Sequence, residues 1–222
     1  MGDMILFHAP GACSRVTMNA LEEIGLAYED RAVNLAAGEQ KQAAYLAVNP
    51  KAKVPALKIG ARVHTENAAI VHLLHVQHPA ARLLPGVGNG IEVNEGLEDL
   101  VWCSSTVHPL VRQVRMPSRY TDGDTSGVKA NGMKNLPVIL AQVAERVSGD
   151  RWWYGTQWSI IDVYLYWNYS TAQSGGLDLS IWPALQRHAD RVRQRPSFVR
   201  ALAREQAALA LHNISLPPGA TL

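Results

Sequence analysis

Two hydrophobic rhythms divide the chain. Up to about residue 80, short apolar runs alternate with helical stripes, and from about residue 91 only the helical rhythm remains. Met4-Ile5-Leu6-Phe7 is a continuous apolar run and predicts a buried first strand, followed by the loop His8-Ala9-Pro10-Gly11-Ala12. Val16, Ala20, Leu21 and Ile24 then share one helical face, with Ser14 suited to the N-cap and Gly25 to the position just past the end. A second strand is expected over 28–34 and a small helix over 40–47. Pro55 opens the run Ala56-Leu57-Lys58-Ile59, which starts a hairpin turning near Gly60-Ala61. Glu66-Asn67 opens the next helix, which carries Ile70, Leu73 and Leu74 and stops before Pro79. The pattern is βαβ, a short helix, then ββα.

The stretch 81–90 is rich in Gly and Pro and marks a linker, so the reading is one α/β domain over 1–80 and one all-helical domain over 91–222. A helix over 91–115 is expected to kink at Pro109, and 116–134 reads as a loop or frayed interruption. Asn135-Leu136-Pro137 starts the next helix. Ser159 and Asp162 have capping-box spacing before a segment that is apolar on most faces, the expected core of the second domain. Ser180-Ile181-Trp182-Pro183 begins a further helix, Pro196 ends it, and the last runs over 197–211.

Composition changes this picture little. Of the 222 residues, 47% are hydrophobic, enough for a real core. The net charge of +2 is interspersed, without a basic stripe or an aromatic-interleaved Lys/Arg patch, so nucleic acid is not an expected partner. There is no export-type leader and no apolar run of membrane-spanning length, so a cytoplasmic protein with no membrane partner is expected. Cys13 and Cys103 are far apart, which argues against a disulfide framework and leaves at least one as a candidate working thiol.

The chemistry concentrates in two stretches. Val54, before Pro55 at the mouth of a strand, can offer its N–H and C=O to an extended peptide as an added strand would. The start of the next helix suits a carboxylate, and Glu66 beside it suits an ammonium; a small peptide with a free α-amino-acid end satisfies both. Cys13, where a helix begins, is favoured as thiolate by the helix dipole and free N–H groups, and its loop position favours that role over a small apolar filler. Ser14 is equally suited to plain capping. His72, His75 and His78 tempt a metal reading, but only neighbouring pairs share a face, so exposed helix histidines and no metal are expected. Cys103 reads as buried and inert.

These motifs, in this order, resemble the glutathione S-transferases: Ala9-Pro10-Gly11-Ala12-Cys13-Ser14 after the first strand, Asn49-Pro50 with Lys53-Val54-Pro55-Ala56-Leu57, Thr65-Glu66-Asn67-Ala68-Ala69-Ile70, and Trp158-Ser159-Ile160-Ile161-Asp162. The resemblance covers nearly the whole length, and Pro-Gly-x-Cys-Ser is most similar to the bacterial beta class. It implies a thioredoxin-like N-terminal domain, a helical C-terminal domain and glutathione as co-substrate. It further implies that Val54 pairs with the cysteinyl part before a cis Pro55, while Glu66 and Asn67 hold the γ-glutamyl amine and carboxylate. Cys13 or Ser14 would attend the sulfur, and His108 would approach from the helical domain, with Arg112 and Arg115 lining an electrophile site. Two departures stand out: Lys53 where the family has Gln, whose charge could meet the glycyl carboxylate, and Asn67 where it has Ser, Thr or Gly. The expected activity is conjugation of glutathione to a hydrophobic electrophile by a homodimer serving detoxification. The alternatives are glutathione-dependent thiol/disulfide reduction through a Cys13 mixed disulfide, in which glutathione must resolve because Pro10 stands where a second cysteine would, and a non-catalytic binding module.

Overall fold

The computed structural model describes residues 4–86, 90–216 and 222, with side chains omitted for 90–93. In chain order the elements are β1 (Met4–His8), α1 (Ser14–Ile24), β2 (Glu29–Ala32), α2 (Ala43–Leu46), β3 (Ala56–Ile59), β4 (Arg62–Thr65) and α3 (Asn67–Gln77). They continue as α4 (Gly90–Trp102), α5 (His108–Arg115), α6 (Ser126–Arg146), α7 (Ile160–Ser174), α8 (Pro183–Gln194) and α9 (Pro196–Leu211). Two compact units form: residues 1–83 with 195–222, and residues 84–194.

The first unit is built on a sheet of order β2-β1-β3-β4. The β1 and β2 strands run parallel through the α1 crossover, and β3 returns antiparallel to β1 and β4. Register puts Leu6 opposite Leu57, both fully buried, and Phe7 opposite Ala56 on the other face. That second face forms a cluster of Ile5, Phe7, Val33, Tyr45 and Ala56, against which Val54 also packs. The hairpin turns at Gly60, as its positive φ of 57° requires. The end of α1 is equally as the sequence predicts: Gly25 takes φ 79° and donates to the Leu21 carbonyl.

Three expectations change here. Cys13, not Ser14, holds the N-cap position of α1. His75 is buried and His72 half-buried rather than both exposed, because α3 carries apolar surface around most of its circumference. Most consequential is α9, expected to continue a helical domain over 91–222 but grouped with the first unit. It is bound to α1 through charge: Glu205 accepts from Arg15 Nε at 2.8 Å and from the Gly11 N–H at 3.1 Å. Arg200 and Arg204 reach Glu22, Arg204 also meets Asp30, and Arg195 pairs with Glu23.

The second unit is helical throughout. Its central α7 is buried along almost its whole length, as the apolar pattern predicts. Asp162 completes the expected capping box by accepting from the Ser159 N–H at 2.9 Å, and it also accepts from the Trp153 N–H at 2.7 Å. The His188 ring lies 2.9 Å from the same carboxylate and 3.0 Å from the Tyr169 hydroxyl, so one N3 aspartate fastens α7 to α8. Cys103 is fully buried, and burial pushes its thiol well above the ordinary range.

The chain between α4 and α5 forms a π turn at Cys103–Val107, where His108 donates its N–H to the Cys103 carbonyl, so the irregularity precedes Pro109. The expected interruption over 116–134 is shorter than the pattern suggests. After a short 3-10 turn at Pro117–Arg119, α6 begins at Ser126 and passes through Gly127, Gly132 and Pro137. Packing against α5 overrides propensity: a Cβ at Gly132 would lie 2.9 Å from both Gln113 Cβ and Val114 Cγ2. The expected linker 81–90 overlaps residues 87–89, which lie outside the described residues. No helix among the described residues is long and apolar enough to cross a membrane.

Arg15 and Glu205 are 3% and 0% exposed, so losing one strands the other in low dielectric. Glu205→Ala is expected to destabilise the first unit by roughly 3–5 kcal/mol, read as a lower urea midpoint.

Candidate active site

The first unit brings Cys13, Ser14, Val54, Glu66 and Asn67 together at the starts of α1 and α3. The loop after β1 folds back through the Ala12 N–H to the Ala9 carbonyl at 3.0 Å, with Gly11 at φ 73°. Ser14 locks this loop: its Oγ accepts from the Ala9 N–H at 3.1 Å and donates to the Ala9 carbonyl at 3.2 Å, and the residue is 0% exposed. The single hydroxyl proton of Ser14 is thus committed to backbone. The Cys13 thiol instead donates toward the Val54 carbonyl at 3.6 Å, so the sulfur lies against the very segment expected to pair with a peptide.

Val54 is positioned from both sides. Its side chain packs into the sheet core, and the Val54-Pro55 bond is cis, as the resemblance implies. Among the described residues its N–H has no hydrogen-bond partner, which leaves a donor for an extended ligand. The preceding loop is fixed by Asn49, 1% exposed, which donates to the Lys53 carbonyl at 2.7 Å and accepts from the Lys51 N–H at 3.1 Å. Tyr45 also donates to the Lys53 carbonyl, at 2.6 Å; burial pushes its hydroxyl up to about 12, against the opposing hydrogen bond with Asn49, so it stays a donor at neutral pH. The Lys53 side chain is exposed.

Glu66 holds φ 71°, a conformation that costs a non-glycine residue energy and is kept only where the surroundings impose it. It raises an exposed carboxylate beside the first N–H groups of α3, where Glu66 makes no side-chain cap. Asn67 behaves differently from the expectation that its side chain meets a ligand carboxylate. It is buried, accepting from the Thr17 hydroxyl at 2.8 Å and donating to the Cys13 carbonyl at 2.9 Å. Its amide is a tie between α1 and α3, and only its backbone N–H remains for an anion.

His108, Arg112 and Arg115 all lie on α5 in the second unit. His108 is 8% exposed and engaged at both ring nitrogens: Arg112 Nε donates to Nε2 at 2.7 Å, and Nδ1 faces the Tyr164 hydroxyl at 3.3 Å. Because a guanidinium can only donate, Nε2 must be the bare nitrogen and Nδ1 carries the proton. Trp167 covers the ring, with centroids 4.5 Å apart. The imidazole therefore orients Arg112, a half-buried cation that no carboxylate pairs with among the described residues.

Sequence reasoning passed over Thr17, Tyr45, Lys51, Tyr164 and Glu205. Lys51 alone carried a signal, as an opposite charge in the same pair of motifs as Glu66. The others become visible only when distant elements meet.

The model "Glutathione S-transferase, N-terminal domain" matches residues 2–75. A maleylacetoacetate isomerase of Pseudomonas aeruginosa is 31% identical over 82% of this chain and 87% of its own. Glutathione S-transferase GstA of Escherichia coli O157:H7 is 30% identical over 91% and 98%. A sphingomonad glutathione S-transferase solved with glutathione aligns at 31% identity with a TM-score of 0.78, covering 91% and 98%. A thioredoxin-like sheet followed by helices is the architecture these proteins share, and full-length identity at this level goes with it: the chain belongs to the glutathione S-transferase family.

Proposed function

We propose that this chain binds glutathione at the first unit and uses its thiolate against an electrophile. The observation that carries the reading is the 3.6 Å approach of the Cys13 thiol to the Val54 carbonyl. A cysteinyl residue paired with Val54 would set its sulfur at Cys13, while Glu66 takes the γ-glutamyl ammonium and the start of α3 its carboxylate. Free thiol is mostly protonated at neutral pH and thiolate is the attacking species, so the protein's task is to favour the anion. Cys13 takes that role here: its sulfur faces the peptide edge, whereas the Ser14 proton is held by Ala9. The Pro10 to Ser14 loop supports a likeness to the beta class.

His108, Arg112 and Arg115 are assigned to the electrophile, with His108 positioning Arg112. This suits two outcomes. In conjugation the thiolate displaces a leaving group from an electron-poor carbon of a hydrophobic molecule, and the leaving group departs with the bonding pair. In isomerisation it adds to an electron-poor double bond, the new single bond rotates, and elimination returns the thiolate and the other geometric isomer. The Pseudomonas relative's name and the lack of a carboxylate partner for Arg112 among the described residues favour acidic substrates for the second course.

On a glutathione matrix the wild type should be retained, and Glu66→Ala should weaken binding roughly tenfold to hundredfold by calorimetry. No retention at all would leave only a binding module for something else. Cys13→Ala should lose most turnover with a chloronitroarene and all exchange with a glutathione mixed disulfide, while Ser14→Ala keeps both in proportion to its folded fraction; loss of exchange with conjugation intact would favour the reductase reading instead. Arg112→Met should lower kcat/KM about tenfold for a carboxylated electrophile and leave a neutral one unchanged. The protein is expected to act as a homodimer, so light scattering should give twice the chain mass.

A further inference from the structure

The Glu66 carboxylate already has a cation on it. Lys51 Nζ lies 3.0 Å from Glu66 Oε1 and 3.0 Å from Thr65 Oγ1. With side chains 54% and 63% exposed, such an ion pair adds at most about 1 kcal/mol, so the fold does not depend on it. Yet the loop presenting Lys51 is firmly made. Buried Asn49 holds it at both ends, Tyr45 anchors the Lys53 carbonyl, and Ala52 takes φ 54° to complete the turn. A strained, cross-braced loop that delivers a lysine to one exposed carboxylate has a purpose other than stability.

Asn67 supplies the reason. With its side chain turned inward to Thr17 and Cys13, it gives a ligand carboxylate at the start of α3 no side-chain donor. We propose that Lys51 is the receptor for that carboxylate, so that Lys51 and Glu66 together read the zwitterionic α-amino-acid end of a γ-glutamyl peptide. In the free protein the two side chains neutralise each other. When the ligand arrives, its ammonium takes Glu66 and its carboxylate takes Lys51 Nζ, and one internal ion pair is exchanged for two with the ligand. The ligand class is narrowed to peptides whose γ-glutamyl residue carries both free charges. The inference rests on the reading above that Glu66 receives the γ-glutamyl end.

The test is calorimetry of wild type, Lys51→Met and Lys51→Arg with glutathione and with its γ-aminobutyryl analogue, which lacks the α-carboxylate. Lys51→Met should weaken glutathione roughly tenfold, Lys51→Arg should restore most of it, and the analogue, whose ammonium no longer has to displace Lys51, should bind Lys51→Met at least as tightly as wild type. Glutathione binding Lys51→Met as tightly as wild type, or more tightly, overturns the proposal, because Lys51 is then a bystander or a competitor for Glu66. An equal loss for both ligands overturns it as well, since the effect is then not on the carboxylate. Wild type that binds no glutathione overturns the functional reading itself and is distinct from either result.

Discussion

A buried amide holds the site together. Asn67 joins the carbonyl of Cys13 to the hydroxyl of Thr17, and so fixes the start of α3 against the start of α1. The thiol stands at one of these helix ends and the first N–H groups of α3 at the other, and a ligand that used both would need their spacing kept to a fraction of an ångström. Both partners of the amide are buried, where a broken hydrogen bond leaves an unsatisfied group at full desolvation cost. A serine or threonine could face the ligand at this position, but it would lack a donor and an acceptor arranged to span both partners.

Around that brace the polar groups divide cleanly into those that shape the site and those left to work. Ser14 ties the loop after β1, Asn49 and Tyr45 tie the loop before Pro55, and Glu205 ties Gly11 and Arg15. The Glu66 carboxylate and the ammonium of Lys51 remain exposed, and the Val54 N–H has no partner among the described residues. In the second unit His108 is on the shaping side of the division, since both its nitrogens are spent and Arg112 is the group it aims.

Much of this was legible in sequence because it is local. The strand run at Ile5 to Phe7, the stop at Gly25, the hairpin at Gly60 and the capping box at Ser159 and Asp162 each depend on residues a few positions apart. The misreadings share a cause. Ser14 looks like a cap because its partner Ala9 is identified only by the loop's closure, and the helix through Gly132 looks broken because the packing that needs a glycine lies on α5. Asn67 reads as a ligand donor while Thr17, its true partner, sits fifty positions earlier. Glu205 resembles one more solvated charge on a terminal helix, and nothing near it in sequence says that Arg15 waits for it.

That separation has a temporal side. Arg15 and Glu205 are 190 positions apart, so a ribosome at about 5–20 residues per second makes the second roughly 10–40 s after the first. Through that interval the guanidinium must stay hydrated, and the loop bearing Gly11 and Cys13 lacks its anchor. The nascent sheet can pair while the loop before α1 still lacks that tie. A chain cut short before Glu205 would carry Cys13 on a loop without that tie.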